Sequence, residues 1–139
     1  SIREIGPAKL YTAIDQEPFE QQCDLFKRAM DAASCGISIA DAKAKDIPLI
    51  YVNDAFVEIT GYSREEVIGK NCRFLQGPDT KPGDVARIKW ALEKEEEVTV
   101  TLLNYRKDGS TFVNEFYIAP IRGRDGEVTH FVGVQTVRE

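Results

Sequence analysis

The sequence predicts an α+β domain: a five-stranded antiparallel sheet with helices on one face and a flanking helix before it. Three observations carry this. Val98 to Tyr105, Thr111 to Pro120 and Glu127 to Val137 are rich in β-branched and aromatic residues, as strands are. Asp108-Gly109 and Asp125-Gly126 separate these runs, and both dipeptides are hairpin turn signals. Upstream lie two short apolar runs and several capped helical pieces, so the order is β-β, short helices, one longer helix, β-β-β.

The lead-in, Ser1 to about Glu17, is mixed, with Pro7 and Pro18 as breakers. Phe19, Cys23, Phe26, Met30 and Ala33 then recur at spacings of three and four and make one apolar helical stripe, which Gly36 stops. Ile37 and Ile39 alternate with Ser38 and Ala40 as a short strand. A turn-like segment, Asp41 to Pro48, leads to a second strand, Leu49-Ile50-Tyr51-Val52. Asn53 or Asp54 can cap a helix holding Phe56, Val57 and Ile59, which Gly61 ends. Ser63-Arg64-Glu65-Glu66 is a capping box, with Tyr62 and Val67 at the positions of a hydrophobic staple. Gly69 ends that piece. Pro78 and Pro82 precede a longer helix with Val85, Ile88 and Leu92 on one face.

A chain of 139 residues suits one domain with a real core. Its net charge of -5 argues against a nucleic-acid-binding surface, whose footprint is basic. No apolar run reaches membrane-spanning length and no signal peptide is visible. Cys23, Cys35 and Cys72 are odd in number, form no CxxC, and accompany a single histidine, His130. They read as reduced thiols of a cytoplasmic protein with no metal site.

Period-two counting along the strands gives the strongest clue. Asn104 shares a face with Val98, Val100 and Leu102. Asn114 shares one with Phe112, Phe116 and Ile118, and Gln135 with Phe131 and Gly133. Three primary amides thus lie on apolar strand faces, where an amide without a partner costs roughly 1–3 kcal/mol. They bond to one another and the backbone, or to something bound there. The run Gly69-Lys70-Asn71-Cys72-Arg73-Phe74-Leu75-Gln76-Gly77 adds a thiol beside a guanidinium and two more amides. A flavin ring suits such a set. Its pyrimidine edge alternates acceptors with a donor, and a side-chain amide offers both. Arg73 could fork onto a phosphate, and Gln76 could reach a sugar-alcohol chain.

Asn71-Cys72-Arg73-Phe74-Leu75-Gln76 resembles the signature of light-oxygen-voltage (LOV) domains, the flavin-binding branch of the PAS fold. Leu103-Asn104-Tyr105, Lys107-Asp108-Gly109, Phe112-Val113-Asn114 and Gly133-Val134-Gln135 match as well, so the likeness covers roughly Gly36 to Val137. The resemblance implies FMN held noncovalently between helices and sheet, with partial riboflavin or FAD occupancy as variants. It implies that blue light drives a bond between the Cys72 sulfur and flavin C4a while N5 takes the proton, and that the bond breaks in the dark. A thiol in an apolar pocket stays protonated, which is compatible.

By motif position, Arg73 and Lys89 would hold the phosphate, and Asn71 and Gln76 the ribityl chain or its surroundings. Asn104 and Asn114 would meet the pyrimidine edge. Gln135 would sit near N5 and O4 and reorient when N5 gains a proton, relaying the signal through the sheet. Leu75, Val85, Ile88, Leu92, Phe116, Ile118, Phe131 and Gly133 would surround the ring, with Ser38 and Ala40 near it. For the apolar members, ordinary core is an equally true description.

Lys89 stands where the family usually has Arg, keeping the charge and losing the fork. Ser38 replaces a branched apolar residue and is expected to admit water and speed dark decay. Ala40 and Ile47 replace residues that are often polar. Cys23 and Cys35 read as packing, and His130 faces away from Gln135.

The domain organisation expected is residues 1–35 as extension and flanking helix, 36–137 as flavin-binding core, and 138–139 as the start of a linker. Leu103, Tyr105, Val113, Tyr117, Val132 and Val134 would make the outer sheet face apolar, and such a face needs cover. The expected cover is a homodimer contact shared by this face and the Phe19–Ala33 stripe, with the output partner undefined. Three function classes stand: a blue-light sensor, a PAS module sensing another ligand or flavin redox state, and an enzyme with a Cys72 nucleophile. The Cys72 motif disfavours the second. The lack of a base near Cys72 disfavours the third.

Overall fold

A computed structural model describes residues 19–138. The chain divides into two units, Ser1–Ala32 and Ala33–Glu139. In the first, α1 spans Phe19–Ala32. Within it Leu25 and Phe26 are exposed and Met30 is half-buried, and Arg28 pairs with Asp24 one turn away. The expected lead-in and the side chains of Phe19 and Cys23, two of the five residues of the expected stripe, lie outside the described residues.

The second unit holds β1 (Gly36–Asp41), β2 (Leu49–Val52), α2 (Asp54–Thr60), α3 (Arg64–Val67), a 3-10 turn (Cys72–Leu75), α4 (Pro82–Lys94), β3 (Val98–Tyr105), β4 (Thr111–Arg122) and β5 (Val128–Arg138). The five strands form one antiparallel sheet in the order β2-β1-β5-β4-β3. The last strand therefore lies at the centre, beside the first. Both hairpin turns form as expected, with Gly109 and Gly126 at φ 87° and 83°, a region that suits glycine. β4 runs two residues past the expected Pro120, across a bulge at Ile121/Arg122.

Capping explains the helical pieces. The Asn53 side chain caps α2 by accepting from Phe56 N, and the same oxygen accepts from Ile37 N at 2.7 Å. Its amide nitrogen donates to Cys35 O at 3.1 Å. One fully buried side chain thus starts a helix and fastens it to β1. The Ser63–Glu66 capping box forms, and Tyr62 and Val67 meet in one apolar cluster as a staple requires. Lys107 and the capping bonds hold the Glu66 carboxyl at about 2, tying α3 to the β3–β4 hairpin.

Alternation on the strands sorts the core. Val100, Leu102, Asn104, Phe112, Asn114, Phe116, Ile118, Phe131, Gly133 and Gln135 are all buried. Two apolar clusters result. Val100, Leu102, Phe116, Ile118 and Phe131 pack with Ala91 of α4, while Leu49, Val52, Phe56, Val67 and Leu75 pack around the short helices.

One expected face assignment is corrected. Tyr105 does not simply cover the outer sheet face. Its ring lies so close to Gly77 that a Cβ there would stand 2.3 Å from Cε1. Its hydroxyl accepts from Asp79 N at 2.9 Å. A tyrosine at the end of an edge strand leans over that edge, and here it clamps the loop following the Cys72 turn. Thr80 adds to the clamp, with Oγ1 donating to Leu103 O at 2.7 Å and accepting from Gly77 N at 3.0 Å. The other outer-face residues are half-buried, except Val113, which is exposed.

Candidate functional site

The segment carrying Cys72 is pinned on both sides. Before it, Leu49 N donates to Lys70 O and Gly69 N to Leu49 O, both at 2.8 Å, which extends β2 pairing up to the turn. Asn71 then caps the turn by accepting from Arg73 N at 2.9 Å. After it, the Tyr105 and Thr80 contacts hold Gly77. Inside the turn, Leu75 is 2% exposed and anchors the 3-10 helix in the second apolar cluster. Cys72, at the opposite end of the turn, lines a cavity between the two clusters.

That cavity is partly open to solvent and lined mainly by apolar side chains, with a few polar groups among them, the make-up of a small-molecule site. Its walls are Ala40, Ile88, Leu92, Leu102, Phe116, Ile118 and Phe131, with Ile47, Asn71, Cys72, Arg73, Gln76, Asn104 and Asn114 completing it. Thirteen of the residues singled out in the sequence meet here. Leu75 does not: it faces the second cluster. Val85 is half-buried and Lys89 exposed on α4, and neither lines the cavity. Ser38, Gly133 and Gln135 form a layer behind it. A Cβ on Gly133 would stand 2.7 Å from Ser38 Oγ and 2.8 Å from Phe116 Cε1, so the missing side chain lets both approach.

The buried amides are only partly satisfied. Asn114 Nδ2 donates to Asn104 Oδ1 at 2.9 Å, and Asn104 Nδ2 to Leu103 O at 3.2 Å. Gln135 Nε2 donates to Ser38 Oγ at 3.4 Å, and the Ser38 hydroxyl approaches Gly133 O at 3.5 Å. Asn114 Oδ1 and Gln135 Oε1 are buried with no partner in the protein. The amides therefore bond partly to one another, as a core network would, yet leave two acceptors over. A flavin fits that pattern at Asn114, whose free oxygen can accept from its one ring N–H, and its broad ring matches the apolar walls.

Cys72 is half-buried as a residue, and burial pushes its thiol up to about 11. It is protonated at neutral pH. None of the lining residues is a carboxylate or a histidine, so no general base faces the thiol across the cavity. His130 is half-buried and bonded to Thr129.

Arg73 is engaged differently from expectation. Its guanidinium forks onto the Asp46 carboxylate, at 2.7 Å from Nη1 to Oδ2 and 2.5 Å from Nη2 to Oδ1. The Arg73 bond holds the Asp46 carboxyl below its ordinary range. Sequence reasoning missed Asp46, a lone acidic residue in a loop of mixed charge with no motif to mark it. It also passed over Leu102 as a lining residue, although Leu102 shares the Asn104 face. Among the described residues no cluster could hold a metal ion, and no helix is long and apolar enough to cross a membrane.

Comparison with known proteins agrees with this geometry. The PAS domain family matches residues 34–136. A "Blue-light photoreceptor" of Listeria monocytogenes is 46% identical over 114 residues, covering 82% of this chain and 45% of the relative. "Blue-light-activated histidine kinase 1" of Erythrobacter litoralis is 40% identical over 136 residues, covering 96% of this chain and 38% of the relative. The chain spans less than half the length of either relative. A solved structure described as "Flavin Analogue Sheds Light on Light-Oxygen-Voltage Domain Mechanism" superposes with a TM-score of 0.77 at 45% identity, over 81% of this chain and 83% of that one. Sheet, cavity, cysteine turn and these likenesses agree: the chain belongs to the PAS domain family, in its light-oxygen-voltage branch of flavin-binding blue-light sensor domains.

Proposed function

We propose that the cavity holds FMN and that this domain senses blue light through a reversible bond made by Cys72. The observation that carries the reading is the meeting of a protonated thiol and the orphaned Asn114 amide oxygen at one apolar cavity, with a second orphaned oxygen, that of Gln135, in the layer behind it. When bound, the flavin supplies the blue absorption and an electrophilic C4a. Cys72 would supply the sulfur that bonds to the flavin and the proton that goes with it, and would recover both in the dark. Asn104 and Asn114 hold the pyrimidine edge, Phe116, Leu102, Ile88 and Leu92 clasp the ring, and Gln76 and Asn71 lie toward the ribityl chain. Gln135, in the layer behind the cavity, would be the amide that turns when the ring gains a proton. Gln135 lies on central β5, opposite Gly36 on one side and Phe116 on the other, so its movement reaches both neighbouring strands.

The domain itself is a sensor rather than an enzyme, and any output activity belongs to segments beyond it. The thiol pattern accords with a reducing, cytoplasmic setting. A homodimer using the outer sheet face and α1 gives the half-buried apolar residues of that face their cover.

The deciding experiment is an absorption spectrum of the purified protein. A three-banded blue absorption that blue light bleaches and darkness restores, and that Cys72→Ala renders unbleachable, supports the reading. A colourless protein that takes up no added flavin refutes it. A flavin-bound protein that never bleaches favours the redox or ligand-sensing alternative.

A further inference from the structure

The geometry points to Asp46 as a specificity-determining residue: it competes for the Arg73 guanidinium and weakens the site's preference for phosphorylated over unphosphorylated flavin. The inference rests on the flavin reading given above and extends it to the choice among flavins.

Asp46 and Ile47 are consecutive non-glycine residues at φ 67° and 46°. Such a pair persists only where its surroundings hold it. The hold comes from the Cys72 turn. Asn71 Nδ2 donates to the Asp46 carbonyl at 2.7 Å, and Arg73 forks onto the Asp46 carboxylate. Ile47 is thereby set as a wall of the cavity that Arg73 also lines. The Asp46 carboxylate takes Nη1 and Nη2 of the guanidinium, so an added anion meets only the Nε edge unless Asp46 gives way. A flavin phosphate must take the fork from Asp46 or share it with a carboxylate that repels it. Riboflavin, which has no phosphate, meets neither obstacle. The pair is about half exposed, so salt screens the effect.

The test is titration of the flavin-free protein in the dark with FMN and with riboflavin, following flavin fluorescence anisotropy. Asp46→Asn removes the charge, keeps the backbone carbonyl that Asn71 binds, and tolerates a left-handed φ. It raises FMN affinity about two- to fivefold and leaves riboflavin affinity unchanged. Asp46→Gly, which adopts this φ freely, gives the same gain. Adding Arg73→Gln to Asp46→Asn abolishes it. An unchanged affinity ratio in both variants overturns the inference, as does an equal shift for both flavins, which would assign Asp46 a role only in loop shape. If neither flavin binds any of the proteins, the flavin reading itself fails.

Discussion

Gly133→Ala tests the link between strand packing and the cavity. Gly133 pairs with Ser38 on β1 and with Ile118 on β4. A Cβ there would stand 2.7 Å from Ser38 Oγ, and 2.8 and 3.0 Å from Phe116 Cε1 and Cζ. Carbon–carbon contacts are comfortable at about 3.5–4.0 Å, so the Phe116 ring edge must retreat by roughly 0.7–1.2 Å. Phe116 lines the cavity, and the cavity is the open side to which it can retreat. Overpacking of this kind costs about 1–3 kcal/mol. For a domain of this size each kcal/mol lowers Tm by about 3–5 °C. The flavin-free protein lets the ring slide into the cavity and stays at the low end of that range. With FMN bound as proposed, the ring would be trapped between the new methyl and the ligand, and the cost should reach the high end. Thermal melts with and without FMN measure both. The expected result is a small loss for the free protein and a larger loss of FMN-induced stabilisation, with weaker FMN affinity. A variant with wild-type FMN affinity and wild-type melting in both states would refute the packing argument.

Three further outcomes follow from the geometry. The Cys72 thiol is raised from an ordinary 9.0 to about 11 by burial, so its neutral form stabilises the fold below pH 9 and that contribution is lost as pH climbs through 11. Denaturant titrations should show wild type losing on the order of 2–3 kcal/mol more than Cys72→Ala across that window; parallel pH profiles would contradict it. Glu95 ends α4 in the left-handed region at φ 55°, and its negative charge opposes the helix dipole. Glu95→Gly should therefore stabilise by about 0.5–1 kcal/mol, read as a rise in Tm. Ser38→Val deletes the hydroxyl that receives Gln135 Nε2. The dark-recovery rate should fall, and an identical rate would show that Ser38 neither admits water nor engages the relay amide.

Much of the fold was readable because its signals are local. The two Asp-Gly turns, the Ser63 capping box and the Gly61 stop each act within a few residues, and each stands where expected. The burial of Asn104, Asn114 and Gln135 followed from period two alone, since one parity holds through each strand. The strand order was not readable: β1 pairs with β5 across some ninety residues of intervening chain, and nothing local encodes that choice. Tyr105 defeated the parity count because it ends an edge strand, where a large ring can lean over the border. Leu75 defeated the motif because the 3-10 turn sends its two ends in different directions, one to the cavity and one to the core. Asp46 escaped because its partner, Arg73, is distant in sequence and because two left-handed residues outside glycine leave no compositional trace.

The amides explain how one site can be both stable enough to fold and ready to bind. An isolated buried amide costs roughly 1–3 kcal/mol, so three unpaired ones would consume a large share of a small domain's stability. The chain avoids this by using each amide nitrogen internally: Asn104 on its own strand, Asn114 on Asn104, and Gln135 on Ser38. What remains are the acceptor oxygens of Asn114 and Gln135. A carbonyl oxygen is cheaper to leave wanting than an N–H, because it has two lone pairs and accepts weak or bent contacts. The network is therefore directional: each amide nitrogen is spent on the fold, and two acceptor oxygens are left over. Gln135 is the loosest member, since its one bond is 3.4 Å long and its partner is a hydroxyl. A hydroxyl can donate as readily as accept, so Ser38 can serve the Gln135 amide in either orientation. An apolar side chain at that position would serve neither. In this chain, the residue best placed to turn is also the one whose partner permits it.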